Sequence, residues 1–410
     1  MEQQVENVAG LDVHRDSVVA CARLGRVERP KTMKKSFKTT TAGVGELARW
    51  LADLEVTRVV MESTGVYWKS VYYGLEGLFG EVWLVNAHHV KNVPGRKTDM
   101  ADAEWLADVA AHGMVRPSLV PEPAARELRE LTRYRKVQVS IRAQEVQRLD
   151  KLLQDAGIKI SSVASSVLGK STRAMLEALI TGERDPAILA DKALRRMRPK
   201  IPALTEALAG RFGAHHAAVA RAILAHIDFL DSNIAALDQE VATRLGPFRA
   251  AVELLKTIPG VGQTTAEVFV AETGGDMSRF PSAAHLAAWA GLAPANDESA
   301  GKHRPVGSRK GARWLRRSFI EAAKAASHTR GTYLAAQYHH LAARRGPNKA
   351  TVAVAHSIVV AAWHMLSDGT PYNDLGADWP TSRRDPEREA RRLIARLEAL
   401  GHKVTIASAA

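Results

Sequence analysis

Two aspartates three residues apart, Asp99 and Asp102, begin a stretch whose residue types could do chemistry. The apolar residues that follow recur every three or four positions, which predicts a helix with one buried stripe. Carboxylates at this spacing project from one face of the first turns and repel each other unless a cation lies between them, and divalent metals prefer such oxygens. Acids also favour helix starts because they cap N–H groups and complement the helix dipole. The stretch alone leaves both interpretations open.

Two earlier segments carry matching acids. Asp12 lies on the first strand of Val8–Leu24, which predicts a β-hairpin, and Glu62 closes the short apolar strand Arg58–Met61. Acids at the carboxyl ends of strands lie at the rim of an α/β sheet, where the sites of such folds collect. Asp12 could equally lie on a solvent face, because the alternation around it is short. The acids are therefore a candidate cluster that depends on the sheet.

The elements that must position these acids follow in the order β, β, α, β, α, β, α. Further predicted segments are a strand edge and helix in Phe37–Leu54, the helix Val66–Leu78 and the strand Glu81–Val85. This alternation predicts an α/β sheet domain over residues 1–120. Pro117–Pro123 has three prolines in seven residues and marks a boundary.

The rest of the chain is predicted to be all-α. Ala124–Ala156 has no helix breaker and forms a long amphipathic helix, a candidate half of a coiled coil, to which Ala217–Leu237 would return. We assign residues 121–250 to this helical region. Its bases could form a solvated face or contact RNA or DNA; they are Arg129, Arg133, Arg135, Lys136, Arg142, Arg148 and Lys151.

Leu254–Glu272 has the pattern of a helix-hairpin-helix within a third region, residues 251–370. Its Gly-x-Gly turn would let backbone N–H groups approach a phosphate without reading bases. The predicted contacts are Pro259, Gly260 and Gly262. The alternative is a plain helical corner with glycine caps.

A glycine-rich basic loop follows, with seven Lys or Arg and no acid between Lys302 and Arg317. Such a loop suits a phosphodiester backbone. The candidate contacts are Lys302, Arg304, Arg309, Lys310, Arg313 and Arg316. Ser299 stands at the entrance of the loop and, by composition alone, is a loop serine with no visible base. Residues 371–410 are predicted to be a peripheral tail with one charged helix.

Composition narrows the class of protein. The 410 residues carry a formal net charge of +13 and a pI near 9.9, which favour a polyanionic partner. The single cysteine, Cys21, excludes an intrachain disulfide and a cysteine-based zinc site. We find neither a signal peptide nor an apolar run of spanning length, since polar residues interrupt the longest candidate, Thr351–Leu366. A cytoplasmic bacterial protein at the nucleoid, with no membrane partner, is expected.

The order of three motifs resembles the DEDD transposases of the IS110 family of insertion sequences. The motifs are GLDVHRDS with Asp12, ESTGVYW with Glu62, and KTDMADAEWLA with Asp99 and Asp102. The block IPGVG followed by GLAPANDESAGKHRPVGSRKGARWLR resembles that family's second domain. The resemblance implies an N-terminal RNase-H/RuvC-like nuclease domain, whose four carboxylates hold two Mg²⁺ ions about 3.5–4 Å apart.

The resemblance also implies a function. Such proteins are site-specific recombinases that move an insertion sequence, guided by a structured non-coding bridge RNA that pairs with target and donor double-stranded DNA. They act as dimers or tetramers, and Ser299 corresponds to a nucleophile that forms a covalent seryl–DNA intermediate. The family usually has glycine directly after this serine, whereas this chain has Ala300 and then Gly301.

Two other classes remain open at this point. A RuvC-like resolvase or nuclease would hydrolyse DNA with water and form no covalent adduct. A non-catalytic nucleic-acid-binding scaffold would be insensitive to chelators and to substitution of the acids.

Overall fold

The computed structural model describes residues 5–26, 28–63, 65–86, 102–294, 298–299, 302–303, 307, 311–378 and 386–405. At residues 298–299, 302–303 and 386–389 it describes the backbone. Four predicted site residues, Asp99, Arg304, Arg309 and Lys310, lie outside the described residues. The chain divides into two units, Met1–Val120 and Pro121–Ala410. The division of the chain into four regions remains a prediction.

The first unit is built on a five-stranded mixed sheet with the order β3-β2-β1-β4-β5. The strands are β1 (Val8–Val13), β2 (Ser17–Leu24), β3 (Lys31–Lys38), β4 (Arg58–Glu62) and β5 (Glu81–Val85). The pairs β1–β2 and β2–β3 are antiparallel, whereas β1–β4 and β4–β5 are parallel. The mixed α/β sheet expected from the sequence is therefore present.

Helices cover both faces of this sheet. Its helices are α1 (Thr41–Asp53), α2 (Trp68–Leu75) and α3 (Asp102–Ala111). Leu47, Leu51 and Leu75 pack on one face with Leu11 and Met61. On the other face, Leu106 and Val109 of α3 pack with Val8, Val60 and Val85. The central strands β1 and β4 are therefore buried on both faces, because their side chains contact apolar residues on each side of the sheet.

Strand β3 is longer and more polar than predicted. The sequence suggested only a strand edge before α1, but eight residues, Lys31–Lys38, pair fully with β2. Lysines at an edge strand discourage pairing with another chain, which explains its composition. Beside it, burial raises the pKa of the Cys21 thiol to about 11, with a further contribution from Glu104.

The second unit is helical apart from one two-stranded hairpin, within the described residues. Its α-helices are α4 (Pro123–Asp155), α5 (Ile160–Val163), α6 (Lys170–Thr181), α7 (Pro186–Asp191), α8 (Ile201–Leu208), α9 (Ala214–Arg244), α10 (Arg249–Leu255), α11 (Gln263–Thr273), α12 (Ala283–Trp289), α13 (Arg313–Ser327), α14 (Tyr333–Arg345), α15 (Pro347–Asp368) and α16 (Pro386–Ala399). Short 3₁₀ helices span Arg195–Lys200, Gly246–Phe248 and Met277–Arg279. The hairpin strands are β6 (Glu298–Ser299) and β7 (Lys302–His303).

Helices α4 and α9 pack side by side and antiparallel, as the predicted return helix requires. Ion pairs join the start of α4 to the end of α9 and the end of α4 to the start of α9. They are Glu127–Arg244, Arg135–Asp238, Arg142–Asp231, Glu145–His226 and Asp155–His216. A coiled-coil register between these helices remains a prediction.

The bases of α4 have a use that the sequence did not reveal. Six of the seven form ion pairs within the second unit: Arg129 and Arg133 with Glu272, Arg135 with Asp238, Lys136 with Glu321, Arg142 with Asp231, and Arg148 with Glu145. The sequence had offered a solvated face or a nucleic-acid contact. Internal pairing thus accounts for six of the seven charges, and a contact of this helix with RNA or DNA remains a prediction.

Helix α15 is longer than the apolar run read from the sequence. In the described part of the chain, its 22 residues, Pro347–Asp368, are long and apolar enough to cross a membrane by length and composition. This corrects our expectation that no segment reaches that length, because the helix extends beyond Thr351–Leu366 at both ends. In the structure α15 packs as a core helix, with Val354, Ile358 and Val359 fully buried.

Candidate active site

Asp12 and Glu62 lie at adjacent positions on neighbouring parallel strands. Strands β1 and β4 pair in register from Val8↔Arg58 to Leu11↔Met61, and the next residue of each strand is one of the two acids. Neighbouring strands lie about 4.8 Å apart, and side chains alternate between the faces. Both carboxylates therefore project from the same face, at the carboxyl end of their strands.

Helix α3 covers this face and runs antiparallel to β1. The N–H of Val5 donates to the carbonyl of Ala111 at 3.3 Å, so the end of the helix lies near the start of the strand. The guanidinium of Arg58 donates to the carbonyl of Ala110 at 3.3 Å, at the same end. The first residue of the helix, Asp102, is therefore directed towards the edge that carries Asp12 and Glu62.

Gly10 permits the close approach of α3. A Cβ at this position would lie 2.0 Å from the carbonyl oxygen of Ala103 and 2.6 Å from the nitrogen of Ala107. Only a glycine in the strand leaves room for the helix backbone, which is one physical meaning of glycine inside a strand. Gly10 was not among the predicted site residues, although a glycine two positions before Asp12 was the available signal.

The three described acids are half-buried, and Asp12 contacts a histidine. The Oδ2 atom of Asp12 lies 3.1 Å from the Nε2 atom of His14, with the two side chains 32% and 62% exposed. His14 can thus donate to the carboxylate and, when protonated, place a positive charge beside it. Glu62 closes β4 and Asp102 opens α3, as the sequence predicted.

Carboxylates meeting on one face fit a hard divalent cation, which takes oxygen ligands. The residues that could hold one are Asp12, Glu62 and Asp102, and the predicted fourth, Asp99, is outside the described residues. Among the described residues, no three His, Cys, Asp or Glu side chains already form a metal-binding group. The fold therefore brings the three acids to one edge of the sheet. Within the described residues, however, their side chains do not form a metal-binding group.

The turn of the predicted helix-hairpin-helix contains one glycine that packs against a helix and one that is exposed. Gly260 has a φ of +85° and lies against α13, because a Cβ there would be 2.4 Å from the carbonyl oxygen of Ala322. Gly262 precedes α11 and is exposed, with no atom within 4 Å of the position of its Cβ. Pro259, directly before Gly260, is half-buried. Gly260 thus has a packing role that the sequence did not reveal, whereas the approach to Gly262 is open.

Ser299 lies on the short hairpin of β6 and β7. It pairs across the hairpin with Lys302, and two residues connect the strands. At the far end of the basic loop, exposed Arg313 begins α13 and lies over the ring of Trp314, 4.9 Å from its centre. Arg316, one turn further, is half-buried. The serine thus lies directly before the two residues that connect the strands, in a connecting region of the kind that often carries residues that meet a partner.

Comparison with known proteins gives two family matches. A model of the DEDD transposases of IS110 type, described as a transposase, matches residues 9–158. A model described as the transposase IS116/IS110/IS902 family matches residues 252–340. Together the two matches cover more than half of the chain, and they include Asp12, Glu62, Asp99, Asp102 and Ser299.

Individual relatives agree with these matches. The chain is 26% identical over 385 residues to a putative transposase of Sinorhizobium fredii, covering 91% of this chain and 87% of the relative. It is 35% identical over 123 residues to an uncharacterized insertion element IS110 protein of Streptomyces coelicolor, covering 29% of each chain. An uncharacterized insertion element IS900 protein of Mycobacterium paratuberculosis is 30% identical over 222 residues, with coverage of 50% and 54%. The chain belongs to the IS110 family of transposases.

Proposed function

We propose that this transposase cuts and joins DNA by metal-assisted strand transfer at Asp12, Glu62, Asp99 and Asp102. The observation that carries the proposal is the meeting of Asp12, Glu62 and Asp102 at one edge and on one face of the sheet. The strand order, with β1 central between an antiparallel and a parallel neighbour, supports an RNase-H/RuvC-like core.

The four carboxylates would hold two Mg²⁺ ions. Bound there, the ions supply Lewis-acid stabilisation of the attacking and leaving oxygens of a phosphoryl transfer. The chain's own contribution is position: strand pairing fixes Asp12 beside Glu62, and the packing of α3 on Gly10 fixes Asp102. His14 would orient Asp12 through their 3.1 Å contact.

Ser299 is the proposed nucleophile. In the transfer step, an ester bond forms between Oγ of Ser299 and a DNA phosphorus while the bond from that phosphorus to one deoxyribose oxygen breaks. The hydroxyl proton passes to a base, and the leaving oxygen takes up a proton. Attack by the deoxyribose hydroxyl of the new strand reverses the step, restores the phosphodiester and releases the serine. The reaction needs no energy from a cofactor, because one phosphate ester bond forms as another breaks.

The proposed nucleic-acid contacts lie in the second unit. The exposed start of α11 after Gly262, in a helix-hairpin-helix arrangement, would meet a phosphate through backbone N–H groups. The basic loop would add electrostatic contacts, from Lys302, Arg304, Arg309, Lys310, Arg313 and Arg316. A structured guide RNA that selects target and donor DNA, and assembly as a dimer or tetramer, belong to this proposal through the family resemblance.

The test combines acid variants with a covalent trap. Asp12→Asn, Glu62→Gln, Asp102→Asn and Ser299→Ala should each lower recombination at least about 100-fold while leaving DNA binding intact. The matched control is Asp16→Asn, whose side chain is 88% exposed on the β1–β2 turn. A wild-type reaction denatured midway should contain labelled DNA attached to a peptide that includes Ser299, and EDTA should prevent its formation.

Other outcomes separate the remaining classes. Cleavage without an adduct, together with active Ser299→Ala, would replace the seryl mechanism by water attack in a RuvC-like nuclease. Full activity of Asp12→Asn or of the wild type in EDTA would refute the metal site itself. DNA binding with no product under any condition would leave the scaffold class.

A further inference from the structure

The segment between α4 and α9, residues 157–213, forms a small subdomain that we call the tip. It has its own core, in which Leu176, Leu189 and Leu204 are fully buried. Leu149 and Leu153 from the end of α4 join this core. The family matches cover residues 9–158 and 252–340, so almost all of the tip lies between them. The tip is thus an ordered part of the chain to which neither match assigns a role.

A cleft of about 380 Å³ opens on the tip. Six of its ten lining residues are polar or cationic, namely Ser165, Ser166, Lys170, Ser171, Thr172 and Arg195. Three of the hydroxyls are already engaged: Thr172 Oγ1 donates to the carbonyl of Gly169 at 2.9 Å, Ser171 Oγ accepts from the N–H of Leu194 at 2.9 Å, and Ser166 Oγ accepts from the N–H of Leu168 at 3.3 Å. These bonds hold the walls of the cleft, and its cations remain available to a ligand.

The cations around this cleft differ from those of α4. Within the described part of the chain, Lys170, Arg195 and Arg196 make no ion pair, and all three are exposed. They belong to a basic run, since residues 192–200 contain five Lys or Arg and no acid. The other bases of this run include Arg198, which pairs with Asp191 at 3.4 Å, and Lys200, which donates to the carbonyl of Val163 at 2.8 Å. Positive charge is therefore left uncompensated at the mouth of the cleft.

Arg195 is also held in an uncommon backbone conformation. Its φ is +49°, in the left-handed region that L side chains rarely adopt. A glycine would take this conformation without strain. The position therefore offers a substitution that removes the charge and relieves the backbone at once.

We infer that the tip binds the phosphodiester backbone of a nucleic acid, with phosphates against Lys170 and Arg195 and a further contact at Arg196. The inference rests on the proposed nucleic-acid substrate, but it is independent of the carboxylate site and of Ser299. Lys and Arg that neutralise phosphates supply sequence-independent affinity. The tip would thus add affinity without selecting a sequence.

A free nucleotide is a less suitable ligand than a polymer. The order Gly169-Lys170-Ser171-Thr172 at a helix start also occurs in the phosphate loops of nucleotide-binding proteins. Such a loop follows a strand and begins with another glycine five residues earlier, whereas here the one-turn helix α5 precedes it and Ala164 stands at that position. The cations also continue beyond the cleft to Arg196, as a chain of phosphates requires.

The experiment measures binding by the full-length protein at several salt concentrations. The test variant is Lys170→Ala/Arg195→Gly, and the control is Arg211→Ala/Arg221→Ala, which removes two exposed charges that do not line the cleft. The probes are a 30-base-pair DNA duplex of arbitrary sequence and an RNA stem-loop of similar length. Two lost phosphate contacts should reduce the salt slope on duplex DNA by roughly 1.8, so that between 50 and 200 mM salt the wild type loses about 12-fold more affinity than the test variant.

Every outcome of this experiment either supports or overturns the inference. A reduced slope for DNA only, RNA only or both supports the inference and identifies the polymer that the tip contacts. An unchanged slope for both probes, or an equal change in the control variant, overturns it. The melting temperature of the test variant should not fall, because glycine is unstrained at position 195; if it does fall, Arg196→Ala gives the same test with one charge. Repeating the measurement in Asp12→Asn keeps a failure of the proposed catalysis separate from a failure of this site.

Discussion

At the scale of single residues, the candidate site depends on a position with no side chain. Asp12 and Glu62 are placed by strand register, but Asp102 reaches the same edge only because α3 lies directly on Gly10. The backbone contact is so close that a single methyl group cannot be accommodated without moving the helix.

Gly10→Ala tests this dependence. The added Cβ would overlap the carbonyl of Ala103, so α3 must shift, and we expect the free energy of unfolding of the first unit to fall by about 1–3 kcal/mol. Recombination should fall further than stability explains, because Asp102 moves with the helix. Urea unfolding and a recombination assay measure the two effects.

The matched control is Gly45→Ala in α1 of the same unit. No atom lies within 4 Å of the Cβ that it would add, so alanine should raise stability by roughly 0.5–1 kcal/mol and leave recombination unchanged. A Gly10→Ala protein that is as stable and active as the wild type would contradict the proposed placement of α3.

The positions of the acids in the fold could be predicted from the sequence, but the role of Gly10 and the ion pairs could not. Asp12, Glu62 and Asp102 occupy strand ends and a helix start, which are features of local pattern. The close contact of Gly10 with Ala103, and the pairing of Arg133 with a glutamate 139 residues away, are tertiary facts that have no local signature. The same limit explains why the sequence left two interpretations of the bases of α4 open.

At the scale of elements, one buried glutamate of α11 joins this helix to α4 through ion pairs. Glu272 is 1% exposed and receives both nitrogens of the Arg133 fork, at 2.7 and 2.8 Å. Arg129 donates to its backbone carbonyl at 2.5 Å. Two helices far apart in the chain therefore share one charge cluster, at the end of the candidate helix-hairpin-helix.

Glu272→Ala should be strongly destabilising. Removal of one partner from a buried pair leaves the arginine charge uncompensated, which costs about 3–5 kcal/mol. Urea denaturation followed by far-ultraviolet circular dichroism would measure the loss in the second unit.

The comparison variant is Glu240→Ala, which removes an exposed partner of Arg244 within one helix. It should cost less than about 1 kcal/mol. Equal effects of the two substitutions would mean that the Glu272 cluster contributes no more than a surface ion pair.

At the scale of the whole molecule, the first unit has what it needs to fold alone. Its sheet is covered on both faces by helices of the same unit, and two clusters of buried apolar residues lie within residues 1–120. A chain of this length buries enough surface for independent stability.

Residues 1–120 expressed alone should therefore unfold cooperatively in urea, with a free energy of unfolding of about 5–10 kcal/mol. Circular dichroism and tryptophan fluorescence should give coincident transitions. A broad, probe-dependent transition would show that the unit needs the rest of the chain, and Gly10→Ala in this fragment would show whether its stability depends on α3.

The length of α4 sets a spacing along any duplex that the second unit contacts. From Arg133, where the helix meets α11, to Asp155, where the helix ends just before the tip, 22 residues rise by roughly 33 Å. That distance is close to one turn of B-form DNA, about 34–36 Å. A duplex lying along the helix would therefore present the same side to both ends of α4, so protection from cleavage would recur with the period of the double helix.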